Sequence, residues 1–573
     1  MVTIEVNGRT VRARAGEMLL GVLRREGVRI PTLCQMDGLE PTGSCRLCAV
    51  EVEGRPTLVT SCAAPVEAGM VVRTHSARAV AARRTLVELL LNNHPDDCLY
   101  CPRHGDCRLQ DLAEELGVRS RRLHGSHTRR ARDVSSPAIV RDPEKCVLCG
   151  KCVRVCGEIQ GVAAIDLTGR GCLARVDTAF GEGLNVSSCI NCGQCVMVCP
   201  TGALTEHSHI DLVENALGDP ELTVVVQCAP SISVTLAELC GELPGQDVDA
   251  AMTGLLRRLG FAKVFDTGFS ADLTVMEEAS ELVRRLREGG TLPMFTSCSP
   301  GWVKFVETFY PHRIGHLSTC KSPQQMLGAV IKSRWAAQAG VDPHRIFSVA
   351  VMPCTAKKFE AARPEMLRGD LNDVDAVLTT RELASLMRRR GLRLGDAPAE
   401  HADLPFGTRS GAGKIFGASG GVMEAAVRTA HKLLTGEDPP VLELAGLRGR
   451  AGIREMRLAA GGLELGLAVV NGLGHARRLL DEIEAGRDDL HFIEVMTCPG
   501  GCLAGGGQPF GAASDAVGAR LAALYRVDGR ETLRTAHANP AVQELYAEFL
   551  GEPLSARSHE LLHTRYVERT VLR

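Results

Sequence analysis

Two runs of cysteine dominate this chain. Cys146-x2-Cys149-x2-Cys152-x3-Cys156 is answered by Cys189-x2-Cys192-x2-Cys195-x3-Cys199-Pro200. Thiolates at these spacings hold paired [4Fe–4S] clusters, with the fourth cysteine of each run serving the other cluster. Cys146, Cys149, Cys152 and Cys199 are therefore expected around one cube, and Cys189, Cys192, Cys195 and Cys156 around its twin. Gly157, rather than proline, follows the first run. Zinc is the alternative occupant, but zinc sites pair two two-cysteine hooks instead of running four thiols together. The chemistry expected is one-electron transfer, of the two-cluster ferredoxin kind.

Two further ligand groups precede the doublet. Cys34, Cys45, Cys48 and Cys62 suit a [2Fe–2S] centre, although the gap after Cys34 departs from plant ferredoxin spacing. Gly43 and Ser44 suit a loop whose backbone N–H groups approach sulfides. His94-x3-Cys98-x2-Cys101-x5-Cys107 suits zinc or a cluster equally well by geometry, and its place between two cluster modules favours the cluster. A neutral imidazole in place of a thiolate raises such a cluster's potential. Arg119, Arg121, Arg122, Arg129, Arg130 and Arg132 follow. They read as a solvated basic linker, with a docking patch for an acidic electron carrier as the sharper alternative.

The chain's 573 residues suggest about four domains, and a formal net charge of −2 gives no general reason to bind nucleic acid or anionic membrane. The N-terminus alternates apolar and polar residues like a strand and lacks the pattern of a signal peptide. No apolar run is long enough to span a membrane. With 23 cysteines in a chain of this size, metal ligation in a reducing cytoplasm is expected rather than disulfides.

The elements that must position these ligands divide the chain into a multidomain α+β arrangement. Residues 1–78 read as a β-grasp-like [2Fe–2S] ferredoxin module and 79–133 as a small His/Cys cluster module. Residues 134–209 read as the two-cluster module, 210–510 as a large α/β domain, and 511–573 as a C-terminal segment. In the α/β region LTVVVQ (222–227), LPMFT (292–296), FSVAVMP (347–353) and HFIEVM (491–496) read as strands of a parallel sheet covered on both faces. Ser322-Pro323-Gln324-Gln325 and Thr379-x-x-Glu382 carry capping-box patterns, the second helix closing at Gly391. Cys298, Cys354, Cys498 and Cys502 each stand at or just after a strand's carboxyl end, where open α/β sheets bind ligands. The glycines around Cys502, Gly500-Gly501 and Gly505-Gly506-Gly507, would let backbone approach a bulky inorganic group.

Three segments then decide the reading. Thr296-Ser297-Cys298-Ser299-Pro300-Gly301-Trp302, Met352-Pro353-Cys354-Thr355-Ala356-Lys357-Lys358 and Glu494-Val495-Met496-Thr497-Cys498-Pro499-Gly500-Gly501-Cys502 resemble the three signatures of [FeFe]-hydrogenases. The order of N-terminal clusters resembles the large clostridial type, and the tail His559-Glu560-Leu561-Leu562-His563-Thr564 a segment that some relatives carry as a separate small subunit. The resemblance implies one [2Fe–2S], three accessory [4Fe–4S] and an H-cluster, a cubane joined to a diiron unit with CO, cyanide and azadithiolate ligands. It implies Cys354, Cys498 and Cys502 as cubane ligands, Lys357 as donor to a cyanide, and Ser231, Ser322 and Gln324 as polar pocket residues. Met352, Met496 and Phe416 would exclude water. The implied activity is reversible reduction of protons to H2. The implied partners are ferredoxin or an NAD(P)H flavoprotein subunit, together with H-cluster maturation enzymes. An H2-sensing protein of low turnover and an iron–sulfur subunit of an NAD(P)H-linked complex are the alternatives.

One departure stands out. The family's first signature has two adjacent cysteines, the first a proton relay and the second a cubane ligand. Here Cys298 fills the first place and Ser299 the second. Serine could bind iron as an alkoxide, Cys298 could turn inward as ligand, or one iron could stay open. Glu278, Glu281 and Arg285 share one face of a helix expected from about Ala271 to Glu288, with Glu277 pointing elsewhere. With Cys298 and Ser318 they match the family's proton relay. Ser410-Gly411-Ala412-Gly413-Lys414 fails as a phosphate loop because Thr408 and Ile415 occupy required positions. Cys172, Cys240 and Cys320 lack spacing partners and read as structural, and Cys228 is left without assignment.

Overall fold

The computed structural model describes residues 1–123, 129–511 and 514–572. The part of the basic linker at 124–128 lies outside them. The N-terminal strands obey their alternation: Ile4 and Val6 turn inward while Glu5 faces solvent. Val2–Val6 pairs antiparallel with Arg9–Ala13 and parallel with Val71–Arg73, which pairs with Ala49–Val52 in turn. The helix Leu19–Arg25 closes this sheet with Leu19, Leu20, Val22 and Leu23, buried against Val50 and Val72. Burying each such side chain contributes about 1.5–3 kcal/mol.

The next helix, Ala77–Asn92, is capped by the Ser76 hydroxyl, which accepts from the Ala79 N–H. It packs with Arg108–Glu115 through Val87, Leu109 and Leu112. Lys145 Nζ reaches Asp97 Oδ2 at 2.8 Å and Arg108 N donates to Pro200 O, which seats this module on the cysteine doublet. In the doublet, Ile139–Arg141 pairs antiparallel with Leu204–Glu206, so its two ends are tied together.

The α/β region differs from the expected single sheet. Lys263–Asp266, Thr223–Cys228, Ile346–Met352 and Ala376–Thr379 form one four-stranded sheet, parallel throughout. Met294–Phe295, Phe492–Met496, Leu463–Asn471 and Ile453–Ala460 form a second, whose last pair is antiparallel. The four apolar runs thus divide two and two. Short buried strands carry no alternation that would tell which run pairs with which. In the first sheet Val224 and Val226 face one apolar core and Val225 the other.

The long helix runs Thr267–Glu288, one turn earlier than expected, because Asp266 accepts from Gly268 N and caps it. The Thr379–Glu382 capping box forms, and Gly391 takes a positive φ beyond that helix. The Ser322 box does not: Ser322 makes no cap bond and gives its hydroxyl to Glu360 instead. A carboxylate outcompetes the backbone for that hydroxyl. Lys414, from the rejected phosphate loop, is buried against Ser233 and Asp249. The helix Ser514–Arg530 is latched to the body by Asp528, which accepts from Arg428 at 3.0 and 2.9 Å, and by Arg520, which pairs with Glu238.

Candidate active site

Between the carboxyl ends of the two sheets lies a cavity of about 90 Å³. Cys354 enters it from the end of the first sheet. Cys298 and Ser299 enter from the second, joined by Cys498 and Cys502 beyond the neighbouring strand. Burial pushes the Cys354, Cys498 and Cys502 thiols up, Cys502 to about 12, and the negative charge of Cys354 adds to the rise of the other two. Three thiols crowded in a dry cavity disfavour the thiolate unless a cation draws it out, which is the environment of a buried metal centre. Ser231, Gln324, Met352, Met496 and Phe416 also line the cavity. Ser231 Oγ and Gln324 Oε1 have no hydrogen-bond partner there. Buried polar atoms left over in this way leave room for a polar inorganic group. The thiols, the apolar walls and these orphaned atoms fit an iron–sulfur group with small polar ligands.

The cysteine doublet contributes to the wall. Cys192 lines the same cavity, and the charge of Cys498 contributes to raising its thiol. A β-carbon on Gly506 would meet Cys192 O at 2.4 Å, so glycine is required for this contact. Gly506 therefore admits a neighbouring polypeptide, whereas Gly501 and Gly505 face the cavity. That corrects the expectation that the whole glycine cluster approaches an inorganic group.

Cys298 lines the same cavity, and the charge of Cys502 reaches it. Its thiol is pushed well up by burial and by the Glu278 carboxylate. Glu278 is buried without a well-formed hydrogen bond, and burial followed by the charge of Glu281 raises it to about 8. Ser318 Oγ donates to Glu281 Oε2 at 2.9 Å, and Arg285 reaches Glu281 Oε1 at 2.6 Å on the way to the surface. Thr319 and His563 extend this set beyond the residues legible in the sequence. Thr319 also donates to Glu281, and its hydroxyl contacts His563 Nδ1 at 2.8 Å. Glu277 turns away to Tyr546 and His563; despite burial, bonds from His563 and Tyr546 hold it below the usual carboxylate range. Cys320, expected to be structural, is fully buried with its thiol 3.9 Å from Glu281.

Lys357 Nζ donates to Cys298 O at 3.1 Å and to Glu360 Oε2 at 2.9 Å. Ser322 and Gln324 donate to the same Glu360 oxygen. Ser322 does not line the cavity, which corrects its expected place: it holds Glu360, and Glu360 holds Lys357. The i, i+3 spacing of Lys357 and Glu360 was the signal that could have found this carboxylate.

The accessory groups gather as follows. Cys146, Cys149, Cys152 and Cys199 line one pocket. Cys195 is raised by burial and by Cys192, Cys189 and Cys156, its neighbours in the second set. His94, Cys98, Cys101 and Cys107 line another pocket. His94 Nδ1 is spent on Pro95 O at 3.0 Å, while the buried Nε2 is free, and burial keeps the ring neutral. A backbone carbonyl on one ring nitrogen fixes the other as a ligand. Cys34 lies close enough to Cys45, and Cys48 to Cys62, for each to perturb its neighbour's thiol. Cys172 and Cys240 are exposed. Cys228 is buried one residue before Ala229 at the cavity wall and does not line it.

Comparison with known proteins agrees along the whole chain. The family described as iron only hydrogenase large subunit, C-terminal domain, matches residues 222–506. The NADP-reducing hydrogenase subunit HndD of Solidesulfovibrio fructosivorans is 46% identical over 99% of both chains. The chain belongs to the iron-only hydrogenase family. Iron hydrogenase 1 of Clostridium pasteurianum is 38% identical over 99% of this chain and 100% of its own. A solved structure of [FeFe]-hydrogenase HydA1 from Chlamydomonas reinhardtii, in a point-variant form, is 41% identical and superposes with a TM-score of 0.58, covering 64% of this chain and 100% of that one. A 2Fe-2S cluster binding domain matches residues 1–77, an NADH-ubiquinone oxidoreductase-G iron-sulfur binding region 83–122, a 4Fe-4S binding domain 184–205, and an iron hydrogenase small subunit 514–569. This iron-only hydrogenase is an oxidoreductase acting on H2, with iron–sulfur modules ahead of an α/β catalytic domain. No helix among the described residues is long and apolar enough to cross a membrane.

Proposed function

We propose that the chain catalyses 2 H⁺ + 2 e⁻ ⇌ H2 at an H-cluster in the cavity between the two sheets. The observation that carries this reading is the convergence of Cys354, Cys498 and Cys502 on one cavity that Cys192 and Cys298 also line. Electrons would arrive past Cys192 and protons past Cys298. When bound, the H-cluster supplies the metal chemistry that makes and splits H2.

The protein's own residues supply the rest. Cys354, Cys498 and Cys502 would hold the cubane through their thiolates, and Cys502 would also serve the diiron unit. Lys357, steadied by Glu360, presents a cation to anionic ligands in a pocket that Met352, Met496 and Phe416 keep dry. Protons pass between surface and cavity through Arg285, Glu281, Ser318, Glu278 and Cys298. Glu278 is suited to the step beside Cys298, since a carboxyl titrating near 8 both holds and releases a proton close to neutral pH. One [2Fe–2S] at Cys34, Cys45, Cys48 and Cys62, one [4Fe–4S] at His94, Cys98, Cys101 and Cys107, and two in the doublet complete the electron path. The domain bounds proposed above follow these groups.

Partnership with an NAD(P)H flavoprotein subunit in a reducing cytoplasm is the preferred context. It is favoured by 46% identity over 99% of both chains to a relative named as an NADP-reducing hydrogenase subunit. Infrared spectroscopy of protein produced with the maturation enzymes, paired with H2 evolution from a reduced viologen, tests the proposal. Bands of iron-bound CO and cyanide with H2 release are expected. Bands without H2 would favour a sensing role, and iron-replete protein without bands would end the H-cluster reading.

A further inference from the structure

The fourth corner of the cubane is where this chain departs from its family, and the two residues that compete for it, Cys298 and Ser299, both line the cavity. The backbone carbonyl of Cys298 accepts from Lys357 Nζ at 3.1 Å. Ser299 has a different partner. Its hydroxyl lies 2.7 Å from Thr497 Oγ1, on the residue that immediately precedes Cys498. Although Ser299 stands at the N-cap of the helix Pro300–Phe309, its hydroxyl makes no capping bond. Serine at that position ordinarily bonds the helix backbone; here the hydroxyl is turned to Thr497 instead. Room for the pair is made locally: a β-carbon on Gly301 would press against Thr497 Oγ1 and Cγ2 at 3.0 Å.

Building on the cubane ligands proposed above, we infer that Ser299 Oγ is the fourth iron ligand and that Thr497 is its positioning residue, donating a hydrogen bond to the ligated oxygen. On ligation the Ser299 O–H bond breaks, its proton passes to water and an Fe–O bond forms, with no electron gained or lost. A ligated serine oxygen has no proton to give, so the hydroxyl pair can only be satisfied with Thr497 as donor. An oxygen is harder than a thiolate and favours the more oxidised cluster, which lowers its potential. A hydrogen bond to that oxygen offsets part of the change by stabilising the more negative reduced state. Cys298 is thereby left free for proton transfer.

The test uses the full chain produced without the maturation enzymes, with iron counted per chain and the reduced clusters followed by paramagnetic resonance during a redox titration. Unchanged signals from the accessory clusters report that each variant folds. C498A is expected to lose about four iron atoms, one [4Fe–4S]. S299A is expected either to lose the same iron or to move that cluster's midpoint, while C298A keeps both. S299C should raise the midpoint and T497V should lower it with the iron retained. Overturning results are an S299A protein identical to the parent in iron and midpoint, a C298A protein that loses the cluster, or a T497V midpoint that does not move. If C498A itself keeps all its iron, the failure belongs to the cubane ligand set and not to the Ser299–Thr497 pair.

Discussion

Glu278→Gln is the sharpest perturbation of the proposed proton path. The side chain keeps its size in a site with no exposure, but the amide can neither take up nor release a proton on the relay's timescale. Moving a carboxyl from its ordinary 4.5 to about 8 corresponds to roughly 5 kcal/mol of preference for the neutral form. Burial is the larger cause and the Glu281 charge the next. At pH 7 about nine in ten Glu278 side chains are therefore protonated, and at pH 9 about one in ten. H2 evolution should hold steady below pH 7 and fall roughly tenfold per unit above 8. Glu278→Gln should cost about 10²–10⁴ in rate, the usual range for losing a proton-transfer group. Glu281→Gln removes the like charge and should move the break to lower pH. The stability of the fold follows the same sign. The unfolded side chain ionises above 4.5 while the folded one waits until about 8, so this group makes stability decline across that interval as pH rises. Glu278→Gln should flatten that decline. The assay is H2 release from reduced viologen between pH 5 and 9, on protein whose iron content and infrared bands match the parent. A variant that keeps more than about a tenth of the parent rate, or a parent profile without a break near 8, would refute the reasoning.

Other expectations follow from the same geometry. His94→Cys replaces a neutral ligand with an anionic one and should lower the midpoint of that cluster in a redox titration; an unmoved midpoint would show that His94 Nε2 is not a ligand. Asp528→Ala removes the carboxylate that Arg428 and Arg534 share and leaves Arg428 with Glu424. Breaking a buried pair of this kind costs about 3 kcal/mol. It should lower the urea midpoint of the catalytic region, and an unchanged midpoint would mean that the helix Ser514–Arg530 is not latched there. Glu360→Gln should leave iron content intact but change the infrared bands of the matured protein, because Lys357 loses its anionic anchor; identical bands would argue that Lys357 is held by Cys298 O alone.

Much of this molecule is written in local spacing. Ligand runs such as Cys146 to Cys156 lie within a few residues of one another, so a loop and one short helix decide their geometry. The face shared by Glu278, Glu281 and Arg285 follows from helical periodicity in the same way, as does the Thr379–Glu382 capping box. What spans the chain needed the folded protein. The apolar runs at 222–227 and 347–353 pair with each other, and those at 292–296 and 491–496 belong to a second sheet, because strands buried on both faces carry no pattern that names a partner. The competition between a backbone cap and Glu360 for the Ser322 hydroxyl, the seating of Cys192 against Gly506, and the 2.7 Å contact between Ser299 and Thr497 join residues far apart in sequence. Residue types and periodicities identified the ligands and the faces they share. Which of them meet around one cavity was decided by packing, since contacts between distant segments arise only when the sheets, helices and cluster modules exclude every other arrangement of the same volume.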